Sequence, residues 1–417
     1  MKNRFFILSI FLLLPLAACN RSVPPAEFEP NRVFAYVSEV KIEYPMQQAL
    51  SEAQVALGEY FGTPDHPKLP NFLDTDQSTL VDLKNLEAAS GDPQQAGRGL
   101  YRKHCVACHG ITGNGRGVNA TQGDVYPRDF RMGKFKFKTT ARGAKPLRDD
   151  LFHTIRNGIA GTSMAKINEL SDADVQTLVD YVIYLSWRGD VERRLLLAAE
   201  EIEFESEDQE SLRNLYAPGT KLFEEQQVVL VKDSITEVAD EWLSATESIK
   251  EIPAAGDIPV EATLEELLAA AGSSQPSPLK ASLDRGRELF ISETASCAKC
   301  HGPLGHGDGQ NQDYDDWTKE WTKNINIDPT DDEQILPFQV RGALPPRQIK
   351  PRDLREGIYR GGADPKNLYH RIANGIEGTP MPAAEGVLQP EDIWHLVNYV
   401  RSLATPANNP TAGESKL

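Results

Sequence analysis

Two five-residue runs constrain this chain more than anything else in it. Cys105-Val106-Ala107-Cys108-His109 and Cys297-Ala298-Lys299-Cys300-His301 each set two thiols three positions apart and follow them at once with an imidazole. Each run sits inside a longer segment that echoes the other. Upstream, Gly97-Arg98-Gly99-Leu100-Tyr101 answers Arg285-Gly286-Arg287-Glu288-Leu289-Phe290. Downstream, Pro127-Arg128-Asp129-Phe130 answers Pro351-Arg352-Asp353-Leu354, and the residues from Leu151 to Met164 align without a gap with those from Leu368 to Met381. This is an internal duplication, so both copies are expected to share one fold and one kind of site.

Each copy closes with a predicted amphipathic helix. In the first, Ser171 is a good N-cap with Asp174 three residues on, and Val175, Leu178, Val179, Val182 and Leu185 recur at helical spacing. In the second, Pro390 suits a first helical turn and Ile393, Leu396, Val397, Val400 and Leu403 follow. The copies differ mainly between the cysteine motif and the Pro-Arg-Asp, where the second carries an extra stretch, roughly 311–347. With Trp317, Trp321 and several prolines it reads as a long loop.

The organisation expected is mostly α. Residues 1–18 form an export signal, 19–95 a tether and extension with a helix near Gln47–Tyr60, and 96–188 the first repeat. Then come 189–280 as an acidic, largely helical connector and linker, 281–405 as the second repeat and 406–417 as a tail. Charge is unevenly spread: 190–268 holds 21 acidic against 6 basic residues, whereas 96–188 holds 15 basic against 8 acidic. Such segmentation suits charged docking between domains or with partners, and a formal net charge of −17 argues against nucleic-acid binding. The scattered Leu, Val, Phe and Trp of the acidic region favour a packed bundle over a solvated spacer. The run Lys134-Phe135-Lys136-Phe137-Lys138, with Arg131 and Arg142, reads as a solvated strand or as a docking rim for an acidic partner or for the chain's own acidic middle.

The chain opens with Lys2 and Arg4, an apolar run from Phe5 to Leu16, and Leu16-Ala17-Ala18-Cys19. That run is too short to span a bilayer as a helix, for which roughly twenty residues are needed. A small-residue cleavage site ending in Cys resembles a bacterial lipobox, which implies lipid attachment at Cys19 and an exported, periplasmic-side, membrane-tethered product. The other four cysteines are consumed by the two motifs, which leaves none for a disulfide or a nucleophile.

Outside the cytoplasm a haem is best retained by thioethers to its two vinyl groups. C-x-x-C supplies two thiols at that spacing on a helical turn, and the following His is carried to the iron. Cys105, Cys108, Cys297 and Cys300 are therefore the expected attachment points of two haem c groups, with His109 and His301 as proximal iron ligands. The rival reading, zinc, needs four N or S ligands per metal, which no further cysteine could complete.

On these motifs each repeat resembles a class I c-type cytochrome domain. The resemblance implies that an early helix crosses the last one, so that Gly97 and Tyr101 meet Tyr181, and Gly286 and Phe290 meet Tyr399. It also implies a distal methionine on a Gly-rich loop, where Met164 and Met381 stand. Core packing is the bland reading of both. His153 and His370, equivalent in the two copies, would instead give bis-His ligation, while Met132 and His306 lack counterparts. Arg128 and Arg352 are candidates for the haem propionates, and the carbonyl of Pro127 or Pro351 for orienting the proximal His.

His/Met ligation raises the reduction potential and fills the sixth position, so such a haem relays electrons and binds no oxygen or peroxide. The implied function is electron transfer with no catalytic residue, either as a respiratory carrier or as a subunit of a redox complex. Donor and acceptor would be redox proteins such as a terminal oxidase or a quinol-oxidising complex. The alternative is a di-haem peroxidase-like enzyme, which needs one displaceable sixth ligand.

Overall fold

The computed structural model describes residues 25–201, 215–219 and 223–405. The expected export signal, Cys19 and the 406–417 tail lie outside them. The chain is mostly α-helical, with a single two-stranded ribbon among the described residues. None of the described helices is long and apolar enough to cross a membrane.

Helices α1 (Arg32–Ile42), α2 (Gln47–Phe61) and α3 (Leu83–Ala89) precede the first copy, which supplies α4 (Leu100–His104), α5 (Val106–His109), α6 (Arg148–Asn157) and α7 (Asp172–Glu201). The start of α7 is fixed by a reciprocal cap. Asp174 N–H donates to Ser171 Oγ at 3.2 Å, and Ser171 N–H donates to the Asp174 carboxylate at 2.9 Å. The helix then runs past the expected end of the repeat at 188, because its apolar face continues through the buried Val191, Leu195, Leu196 and Ala199.

That second stretch of α7 is where the flanking regions join. Ala49, Ala53 and Ala56 are buried on α2, whose small side chains permit close approach. Trp187, fully buried on α7, meets Phe61 of α2 edge-on at 5.2 Å. Its indole N–H donates to the Ile235 carbonyl at 2.9 Å, within α8 (Val228–Leu243). The N-terminal extension from residue 25 on, the first copy and the acidic middle therefore share one core. Inside it the carboxylate of Glu192 accepts from Asn31 N–H and Gln54 Nε2, both at 2.6 Å, and pairs with Arg188 at 3.5 Å. Burial of that charge is tolerable only because it is hydrogen-bonded.

The second half begins with α9 (Leu264–Gly272) and the copy's own α10 (Pro278–Ile291) and α11 (Cys297–His301). It continues through α12 (Asp316–Glu320), α13 (Asp332–Val340), α14 (Pro365–Asn374) and α15 (Pro390–Ser402). Leu289 and Phe290 of α10 and Trp394, Val397 and Tyr399 of α15 anchor its core. The acidic middle reaches here too. Ile252, Ala255, Ile258 and Val260 pack on this core, and Trp394 Nε1–H donates to the Pro253 carbonyl at 3.0 Å. The region read as a connector thus touches both halves with apolar side chains.

The stretch expected to be a long loop is folded. Strand β1 (Asp313–Tyr314) pairs antiparallel with β2 (Gln348–Ile349), in the register Asp313 to Ile349 and Tyr314 to Gln348. Between them Asp331 caps α13 by accepting from Glu333 N–H at 3.0 Å. Trp321, Ile335 and Phe338 bury themselves with Val37 of α1, and the rings of Phe338 and Tyr36 lie 4.8 Å apart. The insertion of the second copy is thereby clamped onto the extension of the first.

Candidate functional site

The two cysteine motifs have the same local build. Each sits in one helical turn closed by a glycine in the left-handed region, Gly110 (φ 73°) and Gly302 (φ 73°). The chain then returns three N–H groups to the motif's own carbonyls. In the first copy Gly115, Gly117 and Asn119 donate to His109, Cys108 and Ala107, at 2.9, 3.0 and 2.7 Å. In the second, Gly307, Gly309 and Asn311 donate to His301, Cys300 and Lys299, at 2.8, 3.1 and 3.1 Å. None of the four thiols is in a disulfide, and all are half-buried. Burial pushes Cys105 up to about 12 and Cys297 up to about 11, so both stay protonated.

Each motif histidine is oriented from behind. His109 Nδ1 lies 3.1 Å from the Arg128 carbonyl, and His301 Nδ1 lies 3.1 Å from the Arg352 carbonyl. A carbonyl can only accept, so Nδ1 carries the proton and Nε2 keeps its lone pair for a metal. Burial lowers both pKa values and keeps the rings neutral. The prolines expected in this role are one residue off, because successive carbonyls of an extended segment point opposite ways. The Pro127 and Pro351 carbonyls turn toward Gly115 and Gly307, where a Cβ would stand only 2.7 and 2.5 Å away. In the first copy Phe130 also stacks on His109, centroid to centroid 4.8 Å.

The helix crossings form, with one exception. Tyr101 meets Tyr181 at 4.9 Å and Phe290 meets Tyr399 at 5.3 Å. Gly286 lies so close under α15 that a Cβ would stand 2.6 Å from Tyr399 Cβ and overlap the His395 carbonyl oxygen. Gly97 plays no such part. It lies outside α4, has open space around its Cα, and takes φ 74°. Gly99 (φ 86°) caps α4 and confines it to five residues, and α3 takes up packing on α7 instead.

The two methionine loops superpose in their bonding. Ile159 N–H donates to the Met164 carbonyl at 2.7 Å and Ile376 N–H to the Met381 carbonyl at 3.3 Å. Thr162 Oγ1 and Thr379 Oγ1 accept from the Met164 and Met381 N–H groups, at 3.1 and 3.2 Å. Both methionines are half-buried. The rival histidines diverge: His153 is exposed, whereas His370 is buried, with burial lowering its pKa and Asn374 3.3 Å from its Nδ1. Met132 sits half-buried on the turn after Phe130, and His306 is exposed, 3.6 Å from Asp353. Among the described residues no three His, Cys, Asp or Glu side chains gather to hold a metal by themselves.

Charged residues fill the ground between the copies. The Arg128 guanidinium lies 3.2 Å from the Trp317 ring centroid, and burial pushes it down to about 10 despite Asp315, Asp129 and Asp316. Arg352 pairs with Glu356 at 2.9 Å, yet its Nε is buried with no partner, as is that of Arg360. The basic run is not a solvated strand. Lys134 pairs with Asp316 at 2.7 Å and Lys138 with Glu377, while the backbone just beyond it bonds the acidic middle through Ala141 N–H to the Ser248 carbonyl at 2.7 Å. Burial beside Arg128 pushes Lys136 down to about 7. No periodicity signals these contacts, because their partners stand roughly 110 to 240 residues away in sequence.

Comparison with known proteins divides the chain in the same two places. Residues 92–182 match the family model described as cytochrome c oxidase, cbb3-type, subunit III, and residues 283–404 match that described as cytochrome c. No curated protein matches. Among solved structures, the Kuenenia stuttgartiensis reducing HAO-like protein complex Kustc0457/Kustc0458 aligns at 22% identity, over 73% of this chain and 94% of that one. Its TM-score of 0.42 is too slight to carry an argument.

Proposed function

This chain is a di-haem class I c-type cytochrome that transfers electrons through covalently bound haem, and from that premise we propose a relay in which both irons are closed by His and Met. The observation that carries the proposal is that the two copies build the methionine loop with the same hydrogen bonds, threonine for threonine and glycine for glycine. A peroxidase-like enzyme needs its two sites unlike, one of them open.

The residues present fit the cofactor. Two free thiols at the right spacing would form the thioethers, and the neutral Nε2 of His109 or His301 would be free to ligate the iron because the other ring nitrogen is held by backbone. The unpartnered Nε donors of Arg352 and Arg360 in the second copy are what a propionate would satisfy. When bound, haem iron supplies one-electron chemistry; the protein contributes a fixed imidazole tautomer and, on this reading, a methionine thioether.

We read the chain as an exported lipoprotein tethered at Cys19, serving as a respiratory carrier or as a cytochrome subunit of a larger complex. Its partners would be redox proteins, for example a terminal oxidase or a quinol-oxidising complex. Support comes from the signal-like first residues and from a net charge of −17 that suits charged docking. The test is a ferric spectrum into the near infrared, then reduction and carbon monoxide. Methionine charge-transfer absorption amounting to two haems, with no carbon monoxide adduct, is the expected result; an adduct at either haem refutes the closed relay.

A further inference from the structure

Among the contacts between the two copies, one is made by an aromatic ring against backbone on both sides of the junction. Trp317 belongs to the second copy, on α12 of its insertion, yet its indole N–H donates to the Asp129 carbonyl of the first copy at 3.1 Å. The Arg128 guanidinium covers the ring at 3.2 Å. Arg128 is the residue whose carbonyl fixes His109. The outer edge of its six-membered ring abuts Gly378, in the loop that leads to Met381. A Cβ there would stand 2.5 Å from Trp317 Cη2 and overlap Cζ3. The neighbouring Asp316 N–H donates to the Gly378 carbonyl at 3.1 Å, and Lys134 of the first copy holds the Asp316 carboxylate at 2.7 Å.

The reverse contact is built differently. The corresponding loop of the first copy, at Gly161, meets only side-chain ends of the second: Arg360 Nη2 donates to the Gly161 carbonyl at 3.2 Å, and Arg352 and Ile358 lie alongside. The first copy has no insertion, so no ring stands there. A rigid indole wedged against backbone transmits displacement, because packed contacts have little free volume, whereas flexible arginine ends absorb it.

We propose that Trp317 is a positioning residue shared by both iron sites, holding in one register the extended segment that orients His109 and the loop that carries Met381. The proposal rests on the reading of those two residues as ligands. Removing the ring loosens the Met381 loop and the His109 backing together and leaves the Met164 loop untouched.

The test compares Trp317→Ala and Trp317→Phe with the unaltered protein, each as the haem-loaded full chain. Three quantities are read: methionine charge-transfer intensity on warming, hydrogen exchange of 376–384 against 159–165, and the two reduction potentials by titration. For Trp317→Ala the intensity should fall from two haems' worth to one over a range where the unaltered protein keeps both. Exchange in 376–384 should quicken at least tenfold with 159–165 unchanged. Trp317→Phe keeps a ring against Gly378 and loses the N–H, so its 376–384 exchange stays near the unaltered rate while one potential shifts. Unaltered exchange in Trp317→Ala overturns the proposal. Should that variant not fold, Trp317→Phe decides, and two unmoved potentials overturn it. If the unaltered protein itself shows no methionine band, the ligand reading fails, and the exchange comparison still judges the clamp.

Discussion

Replacing Gly286 by alanine isolates the helix crossing at the base of the second haem domain. In an open helix this change stabilises by about 1 kcal/mol, because glycine loses more chain entropy. At Gly286 the new methyl would lie 2.6 Å from Tyr399 Cβ and overlap the His395 carbonyl oxygen, both fixed on α15. Neither can swing aside, so α10 must lift by on the order of 1 Å, which forfeits a quarter to a half of the dispersion contact across the pair. Overpacking of this kind costs about 1–3 kcal/mol, and rigid neighbours place it at the upper end. After the propensity gain the net is a loss of about 2 kcal/mol, equivalent to roughly 30-fold faster exchange of the α10 amides wherever opening is local. Gly58 supplies the control: it lies in α2 with nothing near its Cα, so Gly58→Ala should slow exchange in α2 severalfold. Exchange in α10 of Gly286→Ala equal to or slower than in the unaltered protein, with Gly58→Ala behaving as stated, would refute the close crossing.

Met164→Leu and Met381→Leu should each remove half of the methionine charge-transfer absorption and open that haem to carbon monoxide; a variant that keeps the full band excludes its residue as a ligand. Glu377→Ala strands the buried Lys138 ammonium between the copies and should cost about 3 kcal/mol in urea unfolding, much of it recovered when Lys138→Met is added. Asp313 gives a pH signature. Burial alone would raise its pKa, but bonds from Lys319, Lys323 and the Tyr314 N–H outweigh this and bring it down to about 2. Its contribution is therefore present above about pH 4 and lost as pH falls through about 2. Asp313→Asn should speed exchange in the insertion at neutral pH, and the difference should shrink as pH falls toward 2 and vanish below it. Cys19→Ser should release the protein from membranes into the soluble extract, and continued membrane retention of that variant counts against a lipid tether.

What the sequence made legible was whatever is encoded locally or by repetition. The duplicated motif and the Ser171 cap with its apolar period are readable within a few turns of chain, whereas the Tyr101 and Phe290 crossings join residues far apart in sequence and were implied only by the family resemblance. The Gly97 reading failed because the glycine that starts α4 as its N-cap is two residues further on, and a pattern match does not reveal φ. The insertion near 311–347 looked like loop because its apolar residues follow no period. They are spaced to meet Val37 and Tyr36, some 300 residues earlier. Arg128 was read by its charge, and an aromatic partner contributed by the other copy has no signature in the first.

The thirty residues of α7 also bear on how such a molecule can be taken apart. At 1.5 Å per residue the helix is about 45 Å long, yet only its first half serves the haem domain in which it begins. A gene fragment cut at residue 188 would sever a continuous rod just past Trp187 and bare the seat of Phe61 and Ile235. The two ancestral copies, equal when the duplication arose, are no longer interchangeable parts. One has become the frame on which the extension and the acidic middle are assembled, so swapping or deleting that copy removes the scaffold along with the haem.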